Sequence, residues 1–113
     1  MKYNITPLAK PRMTHRDRWA KRPCVTKYWA FKDECKAAGV TVMSGDIVTF
    51  YIPIPKSRKK KIQPLTPHTQ RPDIDNLLKA LFDAVLPEDS HIHTITAIKV
   101  WDDTGAIEIT REI

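Results

Sequence analysis

Two aspartates, Asp73 and Asp75, open the stretch RPDIDNLLKALFDAVLPEDS, and a third, Asp89, follows its end. Grouped carboxylates are hard oxygen donors. They suit a divalent cation such as Mg²⁺, which binds a few of them and keeps room for water and phosphate oxygens. A cation held in this way activates water and offsets the charge that builds on a phosphate under attack. The blander reading is structural. Asp73 is a good helix N-cap, able to accept from the free amides of a first turn, and the helix dipole favours Asp75 beside it. Asp75, Lys79 and Asp83 are spaced by four, as in ordinary surface ion pairs, and Asp83 reads as a surface residue.

These acids need an element to hold them. Ile74, Leu77, Leu78, Leu81, Phe82 and Val85 recur at helical spacing, the clearest helix signal in the chain. On one continuous helix Asp73 and Asp75 point to opposite sides. They converge only if Asp73 precedes the helix with an extended backbone, which Pro72 and the N-cap role both favour.

Charge supplies the context. Residues 1–72 carry sixteen Lys/Arg against four Asp/Glu, while residues 73–113 carry three against nine, so a basic half of +12 adjoins an acidic half of −6. A basic half attracts a polyanion, most plausibly nucleic acid. An acidic patch beside it makes sense if cations occupy it. Directly before the acids runs KSRKKKIQPLTPHTQRP, which holds Lys56, Arg58, Lys59, Lys60, Lys61 and Arg71, no acid, and Pro64, Pro67 and Pro72. It is expected to be an exposed, mobile loop without a core, gathering phosphates. A second basic loop, AKPRMTHRDRWAKRP, holds Lys10, Arg12 and Arg16.

The remaining elements follow from pattern. KYNITPL reads as a first strand, Val25–Ala38 as a helix stopped by Gly39, and DIVTFYIPIP as a strand partly buried on both faces. HIHTITAIKVW and GAIEITREI read as two strands joined in a hairpin through DDTG. The order is β-α-β-loop-α-β-β, an α+β fold with helices on a small mixed sheet. The 113 residues fit one domain, 1–113. With no apolar run of membrane-spanning length and no signal-like N-terminus, a cytoplasmic location is expected. Cys24 and Cys35 are expected to be reduced and lack zinc-site spacing. The absence of GxxxxGK, GxSxG and HExxH leaves nucleotide-driven, serine-hydrolase and zinc-protease chemistry without support.

RPDIDNLLKALFDAV followed by EDS resembles the RusA family of Holliday junction resolvases, small endonucleases often encoded by phages. The D-x-D-N-x-x-K core carries the resemblance, with looser agreement at KPRMTHR and in the order of elements. It implies Mg²⁺-dependent cutting of branched DNA by a homodimer, with catalytic Asp73, Asp75, Asp89 and Lys79, the three aspartates as metal ligands. Where the family commonly has D-D-x-Q-V, this chain reads Glu88-Asp89-Ser90-His91-Ile92.

Lys79, one turn beyond Asp75, is expected to offset charge on a scissile phosphate, its alternative being an i,i+4 ion pair. Asn76 either orients Asp73 or caps the helix. His91 and His93, on one strand face, read as a solvated or structural pair. Trp19 is a candidate for stacking on bases; Tyr28 and Trp29 read as packing residues. The rival to a nuclease is a non-catalytic nucleic-acid-binding protein whose acids only cap and solubilise. Geometry adds one expectation. A helix over residues 75–86 puts its ends roughly 16 Å apart. The three residues to Asp89 return at most about 3.5 Å each, so two such helices packed antiparallel about a two-fold axis would complete each other's site; a helix ending early at Asp83 would instead let the chain return by itself.

Overall fold

A computed structural model describes residues 1–11 and 23–111. Four strands, β1 (Lys2–Tyr3), β2 (Ile47–Pro53), β3 (Thr96–Asp102) and β4 (Ala106–Thr110), form one sheet in the order β1-β4-β2-β3. The β2–β3 pair is parallel, while β4 runs antiparallel to both β2 and β1. Helices α1 (Pro23–Ala37) and α2 (Ile74–Val85) complete the α+β fold.

The core side of the sheet follows from alternation. Val48, Phe50 and Ile52 are buried, while Ile47, Thr49 and Tyr51 are only partly covered. On α1 the buried face is Val25, Tyr28, Phe31 and Cys35; Trp29, expected to pack, is exposed. On α2 it is Leu77, Ala80, Leu81 and Ala84. Two residues past the end of α1 stands Gly39, whose φ of 71° is a conformation that side chains with a Cβ avoid. Asp46, 1% exposed, accepts from both Nε and an amino group of Arg111 at 2.9 Å and from the Met43 amide at 2.8 Å, closing the turn before β2 onto the end of β4. Both cysteines are free thiols.

Three expectations are corrected. The last two strands form no hairpin: β2 lies between them and pairs with both. An apolar strand with a fully buried face has unpaired backbone groups on each edge, and two neighbours satisfy both. The connection through Gly105 packs so closely on Thr6 that an added Cβ would lie 2.9 Å from the Thr6 Cα. The basic loop is not structureless. After a short 3-10 turn at Lys56–Arg58, it lies along the outer edge of β3. The Leu65 amide donates to the Trp101 carbonyl at 2.7 Å, Trp101 to Thr66 at 2.9 Å, and His68 to Lys99 at 3.0 Å. Finally, His91 and His93 precede β3 rather than lying in it. Both are exposed; His91 is in a 3-10 turn and His93 bonds the Ser44 hydroxyl through its amide.

Candidate active site at the mouth of the second helix

Asp73 is the N-cap of α2 in backbone terms only. Its φ and ψ are −71° and 148°, and no side-chain cap bond forms. Its carbonyl receives the Leu77 amide at 3.2 Å. The extended backbone expected for this residue is present, while the capping bond that would occupy its carboxylate is not. Asp75 begins the first turn, and both acids are exposed. Lys79 stands 3.8 Å from Asp75, with both side chains about two-thirds exposed. At that separation in water the pair contributes little and leaves the ammonium available to a phosphate.

The neighbouring surface is positive. Lys10, Pro11, Asn76 and Lys79 line an open hollow beside the mouth. The N-terminal segment is fixed there by the Lys10 amide, which donates to the Asn76 carbonyl at 3.2 Å. Lys10 is not a free cation, however: its ammonium lies 2.6 Å from the Asp83 carboxylate. Tyr28 donates to the same Asp83 oxygen at 2.6 Å. Burial pushes the Asp83 carboxyl up, but the bonds from Lys10 and Tyr28 outweigh it and hold the pKa below the ordinary range. Asp83 is exposed, as expected from its spacing, and also a junction between α1, α2 and the N-terminal segment.

Arg58 donates to the Gln70 side chain at 2.9 Å, which ties the basic loop to the approach to Asp73. Lys56, Lys59, Lys60 and Lys61 are exposed and, among the described residues, form no ion pair; Arg71 is exposed beside the mouth. Arg12, Arg16 and Trp19 lie outside the described residues.

Asp89 follows the end of α2, whereas Asp73 and Asp75 stand at its start. It opens a 3-10 turn, Asp89–His91, beyond the far end of α2. Twelve residues of helix separate the two regions, about 18 Å at about 1.5 Å per residue. The turn is tied down at that far end, where the Ser44 hydroxyl donates to the His91 carbonyl at 3.0 Å. The side chain of Asp89 lies outside those described, and among the described residues no three potential ligands converge. Glu88 accepts from the Ser90 hydroxyl at 2.7 Å and lies 3.8 Å from His91.

Two residues near the mouth escaped sequence reasoning. Lys99 faces the helix side of β3, in register with buried Phe50, and its ammonium donates at 2.7 Å to the carbonyls of both Gln70 and Pro72. The available signal was a lysine at an inward position between Ala97 and Trp101. His68 is buried, its ring 4.2 Å from that of Trp101, and its Nδ1 has no partner among the described residues. Burial, then the Lys99 charge, lowers its pKa, which favours the neutral imidazole. Its place in a loop of prolines and cations gave no sign of burial.

Exposed aspartates at a helix mouth with a lysine one turn away offer oxygen donors for a divalent cation beside a positive charge for a phosphate. The chain belongs to the RusA endodeoxyribonuclease family, whose model matches residues 3–112. That membership indicates an endodeoxyribonuclease. No curated protein matches the chain. Among the described residues no helix is long and apolar enough to cross a membrane.

Proposed function

We propose that residues 1–113 form one Mg²⁺-dependent endonuclease domain that acts in the cytoplasm as a homodimer. It resolves Holliday junctions and related branched DNA by paired phosphodiester cleavage during recombination and repair. The observation that carries this reading is the Asp73 carboxylate, which makes no bond to the helix it caps. A residue of the best capping type sits at the cap position without making the capping bond. This removes the main support for the rival reading, in which the acids serve only the helix.

The donor set fits a hard cation, since Asp73 and Asp75 offer exposed carboxylate oxygens with, among the described residues, no competing bond stronger than the long contact from Lys79. Asp73, Asp75 and Asp89 would hold Mg²⁺. Bound there, it supplies Lewis acidity at the scissile phosphate and lowers the pKa of water. Lys79 offsets negative charge developing on the phosphate. Lys56, Arg58, Lys59, Lys60, Lys61 and Arg71 hold the DNA arms through their phosphates, and Lys10 contributes by fixing the hollow beside Lys79. Arg12 and Arg16 are further candidates for phosphate contact.

Asp89 comes from the partner copy. Two observations support this. About 18 Å of helix separates its turn from the mouth in one chain. Ile74, Leu78, Phe82 and Val85, at i, i+4, i+8 and i+11, are only half-buried and form an apolar strip along α2. Two such strips packed antiparallel about a two-fold axis would bring each Asp89 to the other mouth.

The deciding assay incubates a labelled four-way junction with and without Mg²⁺. Symmetrical nicking that requires the metal is expected; binding without metal-dependent cutting would leave the non-catalytic reading. Complementation tests the shared site. Inactive Asp75→Asn mixed with inactive Asp89→Asn should regain part of the nicking, because one centre of a mixed dimer is then intact. No regain, once subunit exchange is demonstrated, rules the shared site out.

A further inference from the structure

We infer that Lys99 is a positioning residue for the metal-binding mouth: by gripping the chain just ahead of Asp73, it keeps that carboxylate off its own helix. The inference rests on the metal-dependent reading above and names a residue that reading does not use. Gln70, Arg71 and Pro72 lie in neither helix nor strand, so no ladder fixes their carbonyls. Lys99 takes two of these at once, Gln70 and Pro72, each at 2.7 Å. An ammonium carries three donors and no acceptor, so it suits converging carbonyls. Bonds to a charged donor are stronger than neutral ones.

The strand beneath Lys99 is itself held from outside. His68 donates to the Lys99 carbonyl at 3.0 Å, and Trp101 is paired with Leu65 and Thr66. Residues 65–72 are thus attached to β3 twice, by main chain over the first part and by the Lys99 side chain over the last. The bonds end one residue before Asp73. That residue then takes its extended conformation, accepts from Leu77 through its carbonyl, and leaves its carboxylate outward.

Without the grip, the segment is free to let Asp73 rotate onto the first-turn amides, the arrangement an N-cap aspartate ordinarily adopts. Such a carboxylate is occupied and a poorer metal ligand. Lys99 touches neither DNA nor the reacting atoms in this account; it acts through Asp73.

The test uses the full chain and the variants Lys99→Met and Lys99→Arg. Four readouts are needed: Mn²⁺ affinity of the DNA-free protein by calorimetry, the Mg²⁺ dependence of junction nicking, junction affinity without metal, and melting temperature. Lys99→Met should weaken Mn²⁺ binding and raise the Mg²⁺ needed for half-maximal nicking by about 10-fold or more, as for residues that orient metal ligands. Metal-free junction affinity should stay within about twofold. Lys99→Arg, which keeps charged donors, should recover most of the loss. Adding Asp73→Asn to Lys99→Met should cost no more than Asp73→Asn alone, since both act on one ligand. If Lys99→Met does not fold, Lys99→Gln, which keeps one donor group, should show a smaller rise of the same kind. A folded Lys99→Met or Lys99→Gln with wild-type Mn²⁺ affinity and Mg²⁺ dependence overturns the inference. Wild-type protein that neither binds Mn²⁺ nor cuts the junction overturns the metal-dependent reading instead.

Discussion

Asp73 and Asp83 belong to the same helix, one at its mouth and one near its other end, and their surroundings are opposite. Asp83 is engaged by Lys10 and Tyr28 at 2.6 Å each, and its pKa is held down. Asp73 has no side-chain cap bond although it stands where one is easily made. One acid joins three pieces of chain; the other is left open. The cations divide similarly. Lys10, Lys99 and Arg111 are committed to partners within the chain, whereas Lys59, Lys60 and Lys61 extend into solvent. Residue type does not separate the two groups. The test is whether nearby polar groups already use the charge.

The comparison breaks most directly at the mouth. Asp73→Asn or Asp75→Asn should reduce junction nicking by about 10³-fold, since a neutral amide is a poor Mg²⁺ ligand and several kcal/mol of charge stabilisation go with the ion. Junction binding without metal should persist in a mobility-shift assay. Near-wild-type nicking by either variant would place that acid in the structural group.

Neutralising Lys59, Lys60 and Lys61 to Gln should weaken junction binding by roughly 10-fold to 100-fold at moderate salt. It should also lower the slope of log affinity against log salt by about 0.9 per lost phosphate contact. An unchanged slope would mean that this face of the loop points away from DNA.

At the other end of the helix, Asp83→Ala should act on stability before chemistry. The site is partly exposed, so the loss is about 1–2 kcal/mol, read as a lower melting temperature. Nicking well below the melting range should fall only a few-fold. A stable Asp83→Ala protein that cannot cut would move Asp83 to the catalytic side.

The smallest effect is in acid. The pKa values of Asp83 and Asp46 are lowered, Asp46 chiefly by its bonds from Arg111. A carboxyl depressed in the folded state contributes stability that is full above its unfolded value, near 3.9, and is lost as pH falls through the folded value. Melting temperature should therefore be flat near neutrality and fall below about pH 4. Asp83→Asn should reduce that acid slope.

Local information was legible and distant pairing was not. The helix from Ile74 to Val85 was readable because its apolar spacing is local, as were the alternation of Ile47–Pro53 and the stop at Gly39. The extended backbone of Asp73 was readable because Pro72 and the start of the helix flank it directly. The partners of Asp83 were not readable because they lie 55 and 73 residues away, while Lys79, four residues off, suggested an ordinary surface pair. DDTG has the composition of a tight turn, yet composition cannot say that β2 will lie between the strands it joins. Prolines and lysines suggested an unattached loop, but Pro67 leaves its neighbours' amides and carbonyls free to pair with β3.

That pairing also bears on how the protein stays dispersed. The outer edge of β3 would otherwise offer a row of vacant donors and acceptors, the template on which sheets of separate molecules join. The segment from Leu65 to His68 occupies it, and the lysines just upstream add repulsion between copies. A loop shortened to remove its charges would lose both safeguards together. Such a protein would be expected to self-associate edge to edge and come out of solution, whether or not DNA is present.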